Sequence, residues 1–358
     1  MALNKELKRL LLDGTVIPAH PLALTENRVL DEESQRKLTQ YYIQSGAGGV
    51  AVAVHSTQFE IRDPGIGLFE KILALATEEI DKAHLERPFI KVAGICGLTE
   101  QAVSEAEIAT KLGYNIGLLS MGGLKGWTES QILERTAEVA KVIPVFGFYL
   151  QPSVGGRIFS YDFWEKLVQI EGVEAIKCAS FNRYQTLDVM RAVANSSRRE
   201  EIAMYTGNDD NIVADLLTDY SFPVGGQDVI VEFRGGLLGH WAVWTRKAVE
   251  LLEEVKAYKK NPDPKTASNL LTKGIKITDV NAALFDPANA FHGCIPGIHE
   301  VLRRQGLLKG IWCLNPNEKL SPGQLEEIDR VYQDYPELND DEFVHLFLTG
   351  KMASFDNQ

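Results

Sequence analysis

The chain has 358 residues, of which 45% are hydrophobic, and carries a formal net charge of −12 with a pI of about 5.2. This length and composition can bury a full core, and the acidic balance argues against nucleic acid or an anionic membrane as a partner. No apolar run is long enough to span a membrane, so we expect a soluble cytoplasmic protein. The four cysteines form no CxxC pair, so neither a disulfide framework nor a thiolate zinc site is indicated.

Short apolar runs alternate with stretches of helical length through the first two thirds of the chain. The eight runs span residues 15–23, 49–56, 88–96, 116–121, 142–150, 173–180, 202–208 and 228–235. The helix candidates between them span 33–45, 68–81, 99–112, 128–141, 160–170, 183–195 and 210–218. This alternation is typical of a parallel sheet that is covered by helices.

Eight β/α units favour a closed (β/α)8 TIM barrel over a doubly wound sheet, because no glycine-rich phosphate loop follows any of the strands. After Gly239 the segments 240–259, 265–290, 295–306 and 322–334 are mostly helical in character. We therefore predict a catalytic barrel over residues 1–240 and a C-terminal helical domain over residues 241–358.

Polar residues that close the apolar runs are the candidates for a site, because the active site of such a barrel lies at the C-terminal ends of its strands. They are His20, His55, Ser56, Thr57, Tyr149, Lys177, Ser180, Asn208, Asp209, Asp210 and Arg234. Alternation along a strand puts Tyr149 on one face with Gly147, and Lys177 on one face with Ala175. If the larger apolar groups meet the helices, both Tyr149 and Lys177 point into the barrel.

Lys177 stands inside an apolar strand, where burial of an ammonium group is costly and lowers its pKa. A neutral amine can attack a ketone carbonyl and form a protonated imine, which withdraws electrons from the adjacent C–C bond. The alternatives are that Lys177 reaches the strand end with its charged tip, or that it pairs with an acidic neighbour.

Two runs carry a resemblance to a known family. GFYLQPSVGG (147–156), followed one unit later by AIKCASFN (175–182), resembles the paired signature of the dihydrodipicolinate synthase and N-acetylneuraminate lyase family. The runs 16–34, 45–60 and 205–210 are similar to other segments of that family, over about residues 10–310.

The resemblance implies roles for several residues. Lys177 would form the imine, Tyr149 would hydrogen-bond near it and shuttle protons, and Ser56 and Thr57 would hold the carboxylate of a 2-keto acid. Apart from the resemblance, other polar strand ends are candidates for a second-substrate pocket: His20, His55, Asn182, Asn208, Asp209 and Arg234. For Arg234 the alternative is an ion pair with Glu232, and for Ser56 and Thr57 it is capping of the following segment.

The predicted function is that of a Schiff-base-forming lyase that cleaves or condenses pyruvate or another short 2-keto acid, alone or with an aldehyde, or that dehydrates a sugar-acid-like substrate through the same imine. No cofactor or metal is expected. SMGGLKGW (120–127) lacks the tyrosine pair of the synthase, and Val154 stands where the synthase has an arginine, so dihydrodipicolinate synthesis itself is not expected. The alternatives are an altered barrel that acts as a binding protein, and a metal-dependent barrel aldolase or hydrolase. The resemblance also implies a homo-oligomer, a dimer or a tetramer.

Overall fold

Strands and helices alternate along residues 2–351, which are the residues that the computed structural model describes. The strands are β1 (Val16–Pro18), β2 (Gly49–Val52), β3 (Ile90–Ile95), β4 (Ile116–Leu119), β5 (Val145–Leu150), β6 (Val173–Ala179), β7 (Ala203–Thr206), β8 (Tyr220–Val224), β9 (Gln227–Val231) and β10 (Phe233–Leu238). The helices before residue 240 are α1 (Lys5–Asp13), α2 (Glu32–Gln44), α3 (Phe69–Lys82), α4 (Thr99–Lys111), α5 (Glu129–Ala140), α6 (Tyr161–Leu167), α7 (Arg183–Asn195) and α8 (Ile212–Leu217). The later helices are α9 (Thr245–Lys260), α10 (Pro264–Phe285), α11 (Cys294–Arg304), α12 (Gln324–Asp334) and α13 (Asp341–Leu348).

Eight of the strands form one sheet in the order β1-β10-β7-β6-β5-β4-β3-β2. Ala19, directly after β1, pairs in parallel with Ala51 of β2. The strands run in chain order except for the β8–β9 hairpin, as expected when each helix returns the chain to the next parallel strand. The predicted (β/α)8 barrel with C-terminal helices is confirmed.

Two compact units make up the described chain. The lysine unit takes in the residues up to Thr15 together with Arg87–Leu237, and the C-terminal unit takes in Val16–Glu86 together with the described residues from Leu238 onward. The lysine unit holds β3 to β7, and the C-terminal unit holds β1, β2 and α9 to α13. The division of the chain into a barrel and a helical domain near residue 240 stays a prediction.

The eighth predicted strand, over residues 228–235, is wrong in its bounds. Three of its four apolar residues, Val229, Ile230 and Val231, belong to β9, which forms an antiparallel hairpin with β8. Gly225 and Gly226 make the two-residue turn, with φ values of 59° and 83° that glycine adopts easily. The barrel strand is β10, and it was missed because Gly235 takes the place of a larger residue. A Cβ on Gly235 would lie 2.3 Å from the Thr15 carbonyl oxygen.

Two helices, α1 and α13, were not predicted. In the lysine unit α1 is fastened by Tyr205 of β7, whose hydroxyl donates to the Leu11 carbonyl (3.0 Å) and accepts from the Thr15 amide (3.1 Å). In the C-terminal unit Asp340 precedes α13 and accepts hydrogen bonds from the Tyr41 hydroxyl (2.7 Å) and the Gln305 amide (2.8 Å). Among the described helices, none is both long and apolar enough to cross a membrane.

Asp340 should make the stability of the C-terminal unit depend on pH. Burial raises the pKa of its carboxyl to about 6. A raised pKa means that the folded state binds the proton more tightly, so this contribution is full below about pH 4 and is lost as the pH rises through 6. Relative to Asp340→Asn, the free energy of unfolding of the wild type should therefore fall by about 2 kcal/mol between pH 4.5 and 7.5.

Urea unfolding of both proteins at the two pH values measures this change. Asp341→Asn, next in the chain, is the comparison variant: its half-buried carboxyl also accepts from the Gln305 amide, and its charge helps to raise the pKa of Asp340, so this variant should weaken the pH dependence without abolishing it. A constant difference between wild type and Asp340→Asn across the pH range would contradict the prediction.

Candidate active site

Lys177 is the fifth residue of β6 in the lysine unit, and it lies on the face opposite to Cys178, whose thiol contacts Thr186 of the covering helix α7. It is paired in register with Phe148 of β5 and Tyr205 of β7, so these three side chains share one face of the sheet. The residue is only 9% exposed, and its Nζ lies 4.6 Å from the centroid of the Phe148 ring. The amine therefore sits against an aromatic face inside the barrel.

The charge state of Lys177 is set by burial and by one nearby acid. Burial lowers the pKa of the amine to about 8, and the negative charge of Asp209, which follows β7, opposes that effect. At pH 7 roughly a tenth of the amine would be neutral, against less than a thousandth for an ordinary lysine. Lys177 thus meets the electrostatic requirement for a nucleophilic amine near neutral pH.

Gly207 makes room for the lysine. A Cβ at this position would lie 2.5 Å from Cε of Lys177 and 2.9 Å from Cβ of Ala179. The Gly207 amide donates to the Cys178 carbonyl (2.7 Å), which holds the end of β7 against β6. Glycine is therefore required here by the close approach of the lysine stem.

The expected inward orientation of Tyr149 is wrong. Val145 pairs with Val173, but Phe146 pairs with Ala175, so the register shifts by one residue at Glu174. Because side chains alternate with a period of two, this shift reverses the faces. Phe148 comes to lie beside Lys177, and Tyr149 is paired with Cys178 on the opposite face.

Tyr149 faces the helix layer. Its ring lies 4.9 Å from that of Trp164 in α6 and 6.0 Å from that of Phe159, and the residue is fully buried. Burial raises the pKa of the phenol to about 12. A phenol in this position does not reach the Lys177 amine, so the predicted proton shuttle is not at the site.

Two further predicted residues of the lysine unit are already engaged. Asn208 is fully buried; its side-chain amide donates to Asp215 (2.8 Å) and its carbonyl oxygen accepts from the Phe181 amide (3.0 Å). Arg234 is the second residue of β10, at the opposite end from the expected one, and pairs with Glu232 at 2.8 Å. The misplaced eighth strand explains the error at Arg234, and its alternative interpretation as an ion pair is confirmed.

His20, in the C-terminal unit, is a structural residue. It is fully buried; Nδ1 donates to the Pro21 carbonyl (2.8 Å), and Nε2 accepts from the Thr39 hydroxyl (2.8 Å). Burial lowers the pKa of the imidazole to about 4, so the ring is neutral at physiological pH. Both ring nitrogens are occupied, which leaves no group to bind a substrate.

The turn after β2 carries the other three predicted residues. The Ser56 hydroxyl donates to the Ala19 carbonyl (2.9 Å) and the Thr57 hydroxyl to the His20 carbonyl (2.6 Å). Both hydroxyls therefore hydrogen-bond to the segment that follows β1. We had expected them to bind the carboxylate of a substrate. His55 is half-buried with its ring 6.0 Å from that of Phe59.

Gln58 follows this turn in the C-terminal unit and has the left-handed conformation that favours glycine, with φ 68°. Its side-chain oxygen accepts a hydrogen bond from the Leu314 amide (2.6 Å). The glutamine therefore fastens the segment beyond residue 310, whose similarity to the family was weak.

Sequence reasoning missed three residues that shape the lysine site: Phe148, Gly207 and the buried acid Asp215. Gly207 could have been noticed in the sequence, because a glycine that directly precedes the polar run Asn208–Asp210 at a strand end suggests a close approach of the backbone. Phe148 and Asp215 gave no such indication, because each looks like an ordinary core or helix residue. Within residues 2–351, no cluster of three or more histidine, cysteine, aspartate or glutamate side chains is arranged to hold a metal ion.

Several solved structures resemble the chain in fold. No protein-family model matches the sequence, and no curated protein matches it either. Dihydrodipicolinate synthase from Oceanobacillus iheyensis superposes with a TM-score of 0.70 at 16% identity, over 90% of this chain and 96% of its own. N-acetylneuraminate lyase from Fusobacterium nucleatum gives 0.69 at 16% identity, over 90% and 99%.

A further synthase, from Bacillus clausii, gives a TM-score of 0.72 at 13% identity, over 92% of this chain and 99% of its own. The chain has the fold of these two enzymes. The resemblance that we inferred from the runs around Tyr149 and Lys177 is therefore confirmed at the level of the fold, in a strongly divergent sequence.

Proposed function

We propose that the chain is a divergent member of the dihydrodipicolinate synthase and N-acetylneuraminate lyase family, and a lyase that forms an imine between Lys177 and pyruvate or another short 2-keto acid. The observation that carries the proposal is the Lys177 amine, buried on the inner face of β6 with a lowered pKa. One solved structure of the Fusobacterium nucleatum lyase, similar to this chain at a TM-score of 0.69, is a complex with pyruvate.

The chemistry begins with attack of the neutral Lys177 nitrogen on the keto carbon. The carbonyl oxygen takes up a proton, and the carbinolamine then loses water to give a protonated imine. In the cleavage direction the C–C bond one carbon away from the imine carbon breaks and its electrons flow into the imine, which becomes an enamine. The hydroxyl on the departing carbon loses its proton, and that fragment leaves as an aldehyde. In the condensation direction the enamine attacks the aldehyde instead.

Asp209 is the group that we assign to proton transfer. It is the acid whose charge acts on the Lys177 amine. It directly follows Asn208, whose side chain is hydrogen-bonded both to Asp215 and to the Phe181 amide. A carboxylate here can take the proton from the attacking nitrogen and return it to the departing water. This assignment replaces Tyr149, whose phenol faces α6.

The second substrate differs from that of the synthase. Val154 offers no charge for an anionic aldehyde, and Arg157 is engaged elsewhere. The Arg157 guanidinium donates to the Trp127 carbonyl (2.9 Å) and lies 5.3 Å from the centroid of the Phe159 ring.

The proposed family membership also implies a cytoplasmic location and a homo-oligomer. Sedimentation of the purified protein measures the oligomeric state.

Borohydride trapping tests the imine. The protein is incubated with pyruvate and borohydride, digested with trypsin and analysed by mass spectrometry. Because trypsin does not cut after an alkylated lysine, we expect the adduct on the peptide spanning 167–183, in which the bond after Lys177 stays intact. Lys141, whose side chain is 67% exposed, is an internal control and should stay unlabelled.

Absence of any adduct with a series of 2-keto acids would refute the proposed chemistry. Equal labelling of Lys141 and Lys177 would refute it as well, because it would show only the ordinary reactivity of lysine amines.

A further inference from the structure

Asp215 of α8 is a buried carboxylate at the centre of a hydrogen-bond network in the lysine unit. The residue is fully buried, and five side chains donate to its two oxygens. They are Thr206 (2.7 Å), Asn208 (2.8 Å), Asn211 (3.0 Å), Tyr220 (3.1 Å) and Arg183, which forms an ion pair with it. Both oxygens of the carboxyl are therefore hydrogen-bonded by side chains at a position that is closed to solvent.

The network joins the elements that surround the C-terminal ends of β6 and β7. Thr206 is the last residue of β7, Arg183 is the first residue of α7, and Tyr220 is the first residue of β8. Other titratable groups that act on this network are Cys178 of β6 and Asp210 of the loop after β7.

Asn208 links the network to the lysine. Its amide nitrogen donates to Asp215, its side-chain oxygen accepts from the Phe181 amide, four residues beyond Lys177, and its backbone amide donates to the Thr206 hydroxyl (3.1 Å). These three hydrogen bonds fix the position of Asn208. The residue before it, Gly207, lies against the lysine stem, and the residue after it is Asp209.

We propose that Asp215 is a positioning residue for Lys177: through Asn208 it holds residues 207–209 so that Gly207 accommodates the lysine stem and Asp209 faces the amine. The proposal rests on the proposed function for its chemical consequence, but the position of the lysine is a separate property. A misplacement of about 1 Å in such a group is enough to slow a reaction by up to about a hundredfold.

Asp215→Asn tests the proposal. It removes the charge that holds Arg183 and disturbs Asn208, so Asp209 is no longer held towards the amine. We expect the pH at which the Lys177 amine is half neutral to fall by about 0.5–1 unit, because a nearby negative charge favours the protonated amine. Trapping with pyruvate at the pH plateau should slow by about ten- to a hundredfold.

The amine is titrated by its rate of reaction with acetic anhydride, followed on the peptide that contains Lys177. This readout needs no imine, so a wild type that fails to trap pyruvate refutes the proposed function and leaves the positioning test intact. If Asp215→Asn does not fold, Asn208→Ala carries the test, since Asp215 then keeps Arg183 and three other donors. We expect Asn208→Ala to shift the titration in the same direction.

Glu174→Gln is the matched control. It also converts a buried acid to an amide and removes an ion pair, with Lys8, but at the other end of the strand that carries Lys177. It should lower the unfolding temperature and leave the titration of Lys177 unchanged. If Asn208→Ala and any folded Asp215→Asn protein keep the wild-type titration and trapping rate, Asp215 is a stabilising residue only and the proposal is overturned.

Discussion

Replacement of Lys177 by alanine should abolish pyruvate-dependent labelling and lower any cleavage or condensation rate by at least about a thousandfold, because the covalent intermediate can no longer form. Lys177→Arg should be equally inactive, since a guanidinium stays protonated at every accessible pH. In the wild type, burial lowers the pKa of the amine to about 8. The trapping rate should therefore rise with pH through 8 and level off above it, well below the range of an ordinary lysine.

The measurement is the initial rate of borohydride trapping between pH 6 and 10, with circular dichroism to show that the variants fold. Lys91→Ala is the matched control, because Lys91 is also a strand lysine, in β3, and is only partly buried. It should label like the wild type. Undiminished labelling of Lys177→Ala, or a wild-type midpoint near pH 10, would show that Lys177 is not the activated amine.

The second large effect concerns proton transfer. Asp209→Asn should slow imine formation by about 10²–10⁴-fold, the usual contribution of a positioned general acid or base. It should also move the midpoint of the pH profile downward, because Asp209 is the charge that raises the pKa of Lys177 against the effect of burial. Tyr149→Phe, by contrast, should change the rate only a few-fold, because the phenol packs against Trp164 and Phe159.

Asp210→Asn controls for the loss of one negative charge in the same loop, and it should leave the pH midpoint near that of the wild type. The rates are measured by trapping at the plateau pH of each protein, so that a shifted midpoint is not mistaken for a slower step. If Tyr149→Phe were as slow as Asp209→Asn, the phenol and not the carboxylate would be the proton carrier.

Most of the barrel could be predicted from local pattern. The apolar runs at β3, β5 and β6 are bounded by turn residues, and a strand buried on both faces needs such runs wherever it lies in the chain. β10 could not be found in this way. Its residues Gly235 and Gly236 leave little apolar signal, because another part of the chain, Thr15, approaches the backbone there. The neighbouring run over β9 gave a stronger pattern and was mistaken for the barrel strand.

The lysine itself was also predictable, because a charged residue in the middle of an apolar strand is unusual whatever surrounds it. Its neighbours were not. The inward face of each strand was chosen on the expectation that the larger apolar groups meet the helices. The register shift at Glu174 instead pairs Phe148, and not Tyr149, with Lys177. A register shift depends on how two strands pair with each other, so the sequence of neither strand alone reveals it.

The sequence by itself therefore determined which kind of barrel this is and which amine is the candidate nucleophile, because periodicity and the cost of a buried charge are local properties. Only the tertiary structure decided which groups lie around that amine. In the structure Tyr149 faces the helix layer, and the charge of Asp209 acts on the amine. The side chains of Ser56, Thr57, His20 and Asn208 form hydrogen bonds within the protein instead of binding a substrate. The physical reason is that a polar side chain at a strand end has several partners within reach, and the choice among them is made by register and packing.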